Sequence, residues 1–176
     1  MSRDLEDLEP GFKDLVKEVI EDCADHGFRL VPYSTLRPAE EQAKLWRQGR
    51  STGEIQAEIQ RLASQGAPRL SQLLEDVGPQ YGDRVTGALP GESWHQYGKA
   101  CDCYVEEDGE AIWDANHPGY RIYAHFAALR GLTAGFYWEK FQDAPHIQAS
   151  RQSNPVSTMT WAEVEEELFG KEKANG

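Results

Sequence analysis

Between Gly98 and Gly109 the chain reads "KACDCYVEED", and this stretch constrains the fold more than any other. An extended segment turns successive side chains to opposite faces. Cys101, Cys103 and Val105 then share one face, while Ala100, Asp102 and Tyr104 share the other. A strand of this kind needs helices to cover its apolar face, and the rest of the sequence supplies them. Phe12, Leu15, Val16, Val19, Ile20 and Cys23 recur at helical spacing until Gly27 ends the run. Pro38 opens a second helix over "PAEEQAKLWRQG", with Ala39, Ala43 and Trp46 inward. Residues 54–77 read as two short helices separated by "GAP", and "YRIYAHFAALRG" as another. A last helix starts at Thr160, where Thr-Trp-Ala-Glu forms a capping box with Glu163. Further short extended pieces are expected at "FRLVPYS", at "RVTGALPG" from Arg84, near "GFYW" and at "PHIQ". Helices around a small antiparallel sheet make the fold class α+β.

At 176 residues the chain is long enough for one domain with a proper core, expected over residues 1–170, with a disordered polar tail at 171–176. The net charge of −12 argues against unaided binding to nucleic acid or to anionic membranes. No apolar run reaches transmembrane or signal-peptide length, so the expectation is a chain made in the cytoplasm whose export needs outside help. Three cysteines, two of them at "CDC", do not suggest a disulfide framework. Lying opposite Asp102, Cys101 and Cys103 are expected in the core rather than in a site.

Chemistry is concentrated in two polar stretches, "SWHQYGKACD" and "QDAPHIQ". Gly98 lets the chain turn from the loop carrying His95 into the strand, so that His95 and Asp102 converge at one strand end. Two imidazoles and one carboxylate suit a catalytic zinc with its fourth position left for water. Such a metal lowers the pKa of the water, and a general base must still take the proton. Asp143 is the candidate base if Pro145 bends the segment, because in a straight strand Asp143 and His146 would face opposite ways. By composition alone, a loop histidine, a surface aspartate and a turn account for the same residues.

"SWHQYGKACD" resembles the Ser-x-His-x-x-Gly-x-Ala-x-Asp motif of the zinc D-Ala-D-Ala carboxypeptidase and L-Ala-D-Glu endopeptidase family, and "DAPH" resembles its second motif. Upstream, "STLRPAEEQAKLWRQGR" resembles the family's first block, with Arg37, Gln42 and the Gly49-Arg50 pair in place. The resemblance covers most of residues 28–150 and implies a Hedgehog/DD-peptidase-like fold. It implies zinc held by His95, Asp102 and His146, with Asp143 as the base and Arg37 binding a substrate carboxylate or polarising the scissile carbonyl. Ser93 and Gln42 are further candidates for lining the substrate site, and Gln148, on the strand face of His146, for supporting that ligand. Compact family members cross from the "GR" block to the "VT" block in a short loop, so residues 51–84 here are a two-helix insertion.

The implied activity is a zinc peptidase acting on peptidoglycan stem peptides as a monomer. L-Ala-D-Glu endopeptidase is the first choice, since Asp at the base position and the "HIQ" ending look like that branch. The absence of a leader then fits an endolysin-like lysis enzyme released through a membrane pore (a holin). D-Ala-D-Ala carboxypeptidase is the alternative, and a non-catalytic zinc-stabilised binding module is the alternative of another class. Retention of both Asp143 and Arg37 speaks against the binding module, which needs neither. An oxygenase-type iron site shares the ligand set but places His and Asp two apart rather than seven.

Overall fold

A computed structural model describes residues 1–170; the tail expected at 171–176 lies outside the described residues. The chain forms two compact units: residues 1–36 with 97–151, and residues 37–96 with the stretch from 152 onward.

The first unit contains the sheet. Helix α1 (Pro10–Asp25) leads into strand β1 (Arg29–Ser34), and strand β2 (Ala100–Glu107) pairs antiparallel with it. Strand β3 (Glu110–Ile112) folds back on the end of β2. The two-residue loop between them, Asp108-Gly109, has positive φ at both positions, the turn that Asp-Gly favours in hairpins. Helix α5 (Pro118–Leu129), strand β4 (Thr133–Ala134) and strand β5 (His146–Gln148) complete the unit. The sheet order is β1-β2-β5-β4, with β3 attached to β2. All pairings are antiparallel, and with helices packed on this open sheet the class is α+β.

One face of the sheet meets α1 and α5. Phe12, Val16, Val19 and Cys23 of α1 and Tyr120, Tyr123, Ala124 and Ala127 of α5 are buried against Leu30, Cys101, Cys103, Val105 and Ile147. Each large apolar side chain removed from water here contributes about 1.5–3 kcal/mol. The period-two expectation for β2 therefore holds, with both cysteines and Val105 in the core and Asp102 turned to the other face.

In the second unit, helices α2 (Ala39–Arg47), α3 (Thr52–Ser64), α4 (Pro68–Asp76) and α6 (Trp161–Phe169) enclose a separate core. Trp46, Ile55, Leu62, Leu70, Leu74, Trp161 and Val164 form it. Capping boxes start α3 (Ser51 with Glu54) and α6 (Thr160 with Glu163). Two expected strands differ. Residues 84–91 form no ladder: Arg50 Nη2 donates to the Thr86 carbonyl at 2.9 Å and Gln42 Nε2 to that of Ala88 at 2.7 Å, so side chains serve the backbone where a neighbouring strand would. Near "GFYW", β4 stops at Ala134 and Gly135–Tyr137 is a 3-10 turn. Among the described residues, no helix is long and apolar enough to cross a membrane.

Candidate metal centre

The 3-10 helix Trp94–Tyr97 carries His95. Its start is held by Ser93, whose Oγ accepts the His95 backbone N–H at 3.4 Å and whose carbonyl accepts that of Gln96 at 3.1 Å. Gly98 follows at φ +65°, and an added Cβ there would lie 3.0 Å from the Asp7 carbonyl oxygen and from the Glu9 nitrogen. The turn into β2 thus requires glycine.

Asp102 pairs across the sheet with Ser34 on β1 and with His146 on β5. Asp143 lies outside β5: its carbonyl accepts the His146 N–H at 3.2 Å, closing a turn through Ala144 and Pro145. This is the bend on which the expected Asp143 arrangement depends. His95, Asp102 and His146 are all buried, at 2%, 6% and 8% exposure, and one ligand atom from each lies within 4.8 Å of the others. Buried polar groups of this kind need compensation, and two imidazoles with one carboxylate at this spacing are close enough to share one ion. The set can hold a metal ion.

His146 is oriented at both ring nitrogens. Nδ1 lies 2.9 Å from Asp102 Oδ1, and Nε2 lies 3.1 Å from Gln148 Oε1. The Gln148 amide is itself fixed, because its Nε2 donates to the Ser150 carbonyl at 2.7 Å. Its oxygen must then accept from His146 Nε2–H, which leaves Nδ1 as the nitrogen able to bind a cation. Burial disfavours the charged imidazole, but the Asp102 hydrogen bond and charge, with Asp143 and Gln148, outweigh it and raise the His146 pKa. Protons and metal therefore compete for the same nitrogen, and metal affinity falls as pH falls through that raised pKa. Trp138 packs on the His146 ring, centroid to centroid 5.1 Å.

Around Arg37 the order is equally specific. Arg37 Nη1 donates to Gln42 Oε1 at 3.0 Å, and its backbone N–H donates to the His95 carbonyl at 3.1 Å. Gln42 is fully buried and anchored on Ala88, so its amide orients the guanidinium.

The cysteines stay out of the group. Cys101 and Cys103 have their sulfurs 3.9 Å apart within the core, and both the neighbouring sulfur and burial push the Cys101 thiol up. Burial drives the Cys23 thiol up to about 12. A protonated buried thiol is a poor metal ligand. Cys101→Ala and Cys103→Ala should each lower stability by roughly 1 kcal/mol through lost packing. Metal content should be unchanged, and its loss on either change, by elemental analysis, refutes the face assignment.

Sequence reading had no signal for Gly135. Its φ is ordinary, yet a Cβ there would sit 2.5 Å from the Asp143 carbonyl oxygen and 3.2 Å from the His146 Cβ. Both neighbours are fixed, since the Asp143 N–H also donates to the Gly135 carbonyl at 3.0 Å. Gly135→Ala must therefore displace the turn that carries Asp143 and His146. The expected result is a destabilisation of about 1–3 kcal/mol, as for overpacking, together with weaker metal binding. Unchanged melting and unchanged metal affinity would show that the turn has slack.

An α+β chain with a buried group of two imidazoles and one carboxylate is a candidate metal-binding protein. Residues 5–147 match the VanY family, D-alanyl-D-alanine carboxypeptidase, and the chain belongs to that family. It is also 27% identical over 150 residues to the peptidoglycan L-alanyl-D-glutamate endopeptidase CwlK of Bacillus subtilis (strain 168), a match covering 81% of this chain and 73% of that relative.

Proposed function

We propose that the protein is a zinc-dependent peptidase that hydrolyses the L-alanyl-D-glutamate bond of peptidoglycan stem peptides. The observation that carries this reading is the buried His95–Asp102–His146 group. Three protein ligands of this type, with a position left open, are the donor set of catalytic zinc. When bound, zinc supplies the Lewis acidity that makes water a nucleophile near neutral pH.

The remaining work falls to this chain's own groups. Asp143 accepts the proton of the attacking water and returns it to the leaving amine nitrogen. Arg37, oriented by Gln42, binds the substrate carboxylate through its planar fork of donors. Gln148 holds the His146 tautomer. Ser93 positions the His95 turn through its own hydroxyl and carbonyl, and it is also a candidate to line the substrate site. The protein acts as a monomer on the cell wall.

The family name and the curated relative point to different bonds. Asp143 at the base position and the His146-Ile147-Gln148 ending favour the endopeptidase, and D-Ala-D-Ala carboxypeptidase is the second reading. Digestion of purified peptidoglycan, with mass spectrometry of the released ends and elemental analysis of the same protein, decides. New D-glutamyl N-termini support the endopeptidase, whereas free D-alanine identifies the carboxypeptidase. No cleavage by zinc-loaded protein leaves the binding module.

A further inference from the structure

Two strand positions from Asp102, on the same face of the sheet, lies Tyr104. Its ring is 5.5 Å from that of Trp113, which follows β3, and 6.2 Å from that of Tyr33 on β1. Tyr33 and Trp113 themselves meet edge to face at 5.1 Å. The core does not use these rings, since Leu30, Cys101, Cys103 and Val105 fill the opposite face. Trp113 is 59% exposed although it is held by two aromatic neighbours. Tyr33 lies two positions from Val31, the cross-strand partner of Tyr104, so strand alternation sets it on the face of the row, where the register is irregular between Pro32 and Ser34. Burial and the Asp102 and Asp143 carboxylates hold the Tyr33 phenol well above its usual range, so it is neutral and can donate a hydrogen bond.

We infer that Trp113, with Tyr33 and Tyr104 beside it, forms a sugar-stacking subsite that takes the N-acetylmuramyl ring next to the scissile bond. The inference rests on the peptidase reading and adds to it the glycan side of the substrate. A pyranose presents a face of C–H bonds with partial positive charge, and an indole presents a negative π face. The spacing also fits. The lactyl and L-alanyl groups between the sugar and the L-Ala-D-Glu bond span about two residue-lengths, roughly 7 Å. Asp102 and Tyr104 are two strand positions apart, again roughly 7 Å. For a D-Ala-D-Ala bond, further along the stem, the sugar would lie roughly 17 Å away and miss the aromatic row.

Initial rates of the zinc-supplemented full chain on a muramyl tripeptide and on the same tripeptide without sugar test this. Wild type should show a lower KM for the muramyl substrate, by about fivefold, the scale of one aromatic contact. Trp113→Ala should erase that difference, and Trp113→Tyr should restore most of it, with melting checked for both variants. Equal KM for the two substrates in wild type, or equal losses on both in Trp113→Ala, overturns the subsite. If wild type cleaves neither, the peptidase reading fails on its own. Titration with muramyl dipeptide and with the sugar-free dipeptide, read by tryptophan fluorescence, then decides the subsite: tighter binding of the muramyl form that Trp113→Ala removes supports it, and equal binding overturns it.

Discussion

Replacing any one of His95, Asp102 and His146 by alanine should strip the protein of its metal and abolish peptidoglycan cleavage, but the three variants should not be equally stable. Asp102 and His146 face each other at 2.9 Å with both side chains buried, and each compensates the other even when no ion is bound. His146→Ala leaves the Asp102 carboxylate without that imidazole, and Asp102→Ala leaves the imidazole without that carboxylate. Breaking a buried pair by removing one partner costs on the order of 3 kcal/mol. His95→Ala leaves this pair intact, so in its metal-free form it should lose only what truncating a buried side chain costs and melt above the other two variants. Thermal melting in chelator compares the folds, and elemental analysis after dialysis into zinc compares the sites. Full zinc retention in His95→Ala would remove it from the ligand set. Equal melting of all three in chelator would mean that the Asp102–His146 contact does little for the fold.

The parts of this centre legible in the sequence are those governed by local periodicity. Alternation along a strand separates Asp102 from Cys101 and Cys103 without any knowledge of what the strand packs against, and the sheet keeps that separation. Proline at 145 signals a break, and the turn from Asp143 to His146 provides it. The capping box at Thr160 is likewise local and is formed. Contacts between distant segments are not readable in this way. Gly135 matters because the Asp143 backbone passes within van der Waals reach, a close approach set by tertiary packing and not by its own dihedral angles. The aromatic row depends on the β1–β2 pairing that sets Tyr33 beside Tyr104 and on the hairpin that brings Trp113 back to the same place. The strand that returns after the Asp108-Gly109 turn is only three residues long, too short to show alternation. Residues 84–91 look extended in sequence because glycine and proline forbid helix there, yet extended backbone becomes a strand only when a neighbour supplies the ladder. Buried Gln42 and half-buried Arg50 occupy those carbonyls instead.

Asp143→Asn is expected to leave zinc content and melting close to wild type while lowering peptidoglycan cleavage at least ~10²-fold, the lower end of what a positioned general base contributes. Asparagine matches aspartate in size, and the bonds that hold the turn are made by the backbone: the residue-143 N–H to Gly135 and the His146 N–H to the residue-143 carbonyl. Neither depends on the side chain, so His146 stays in place. What the amide cannot do is take a proton from water at neutral pH. A secondary effect has a definite sign. The Asp143 charge is among the influences that raise the His146 pKa, so its removal lowers that pKa and lets zinc compete with protons to a slightly lower pH. A base defect with intact or improved acid-side zinc retention is therefore the expected signature, and it differs from that of a ligand, whose loss lowers activity and zinc together. Rates on purified peptidoglycan, zinc content and melting should be measured on one preparation across pH 5–8. Wild-type rates in Asp143→Asn would assign the proton transfer to another group. A parallel loss of zinc would instead make Asp143 part of the metal site.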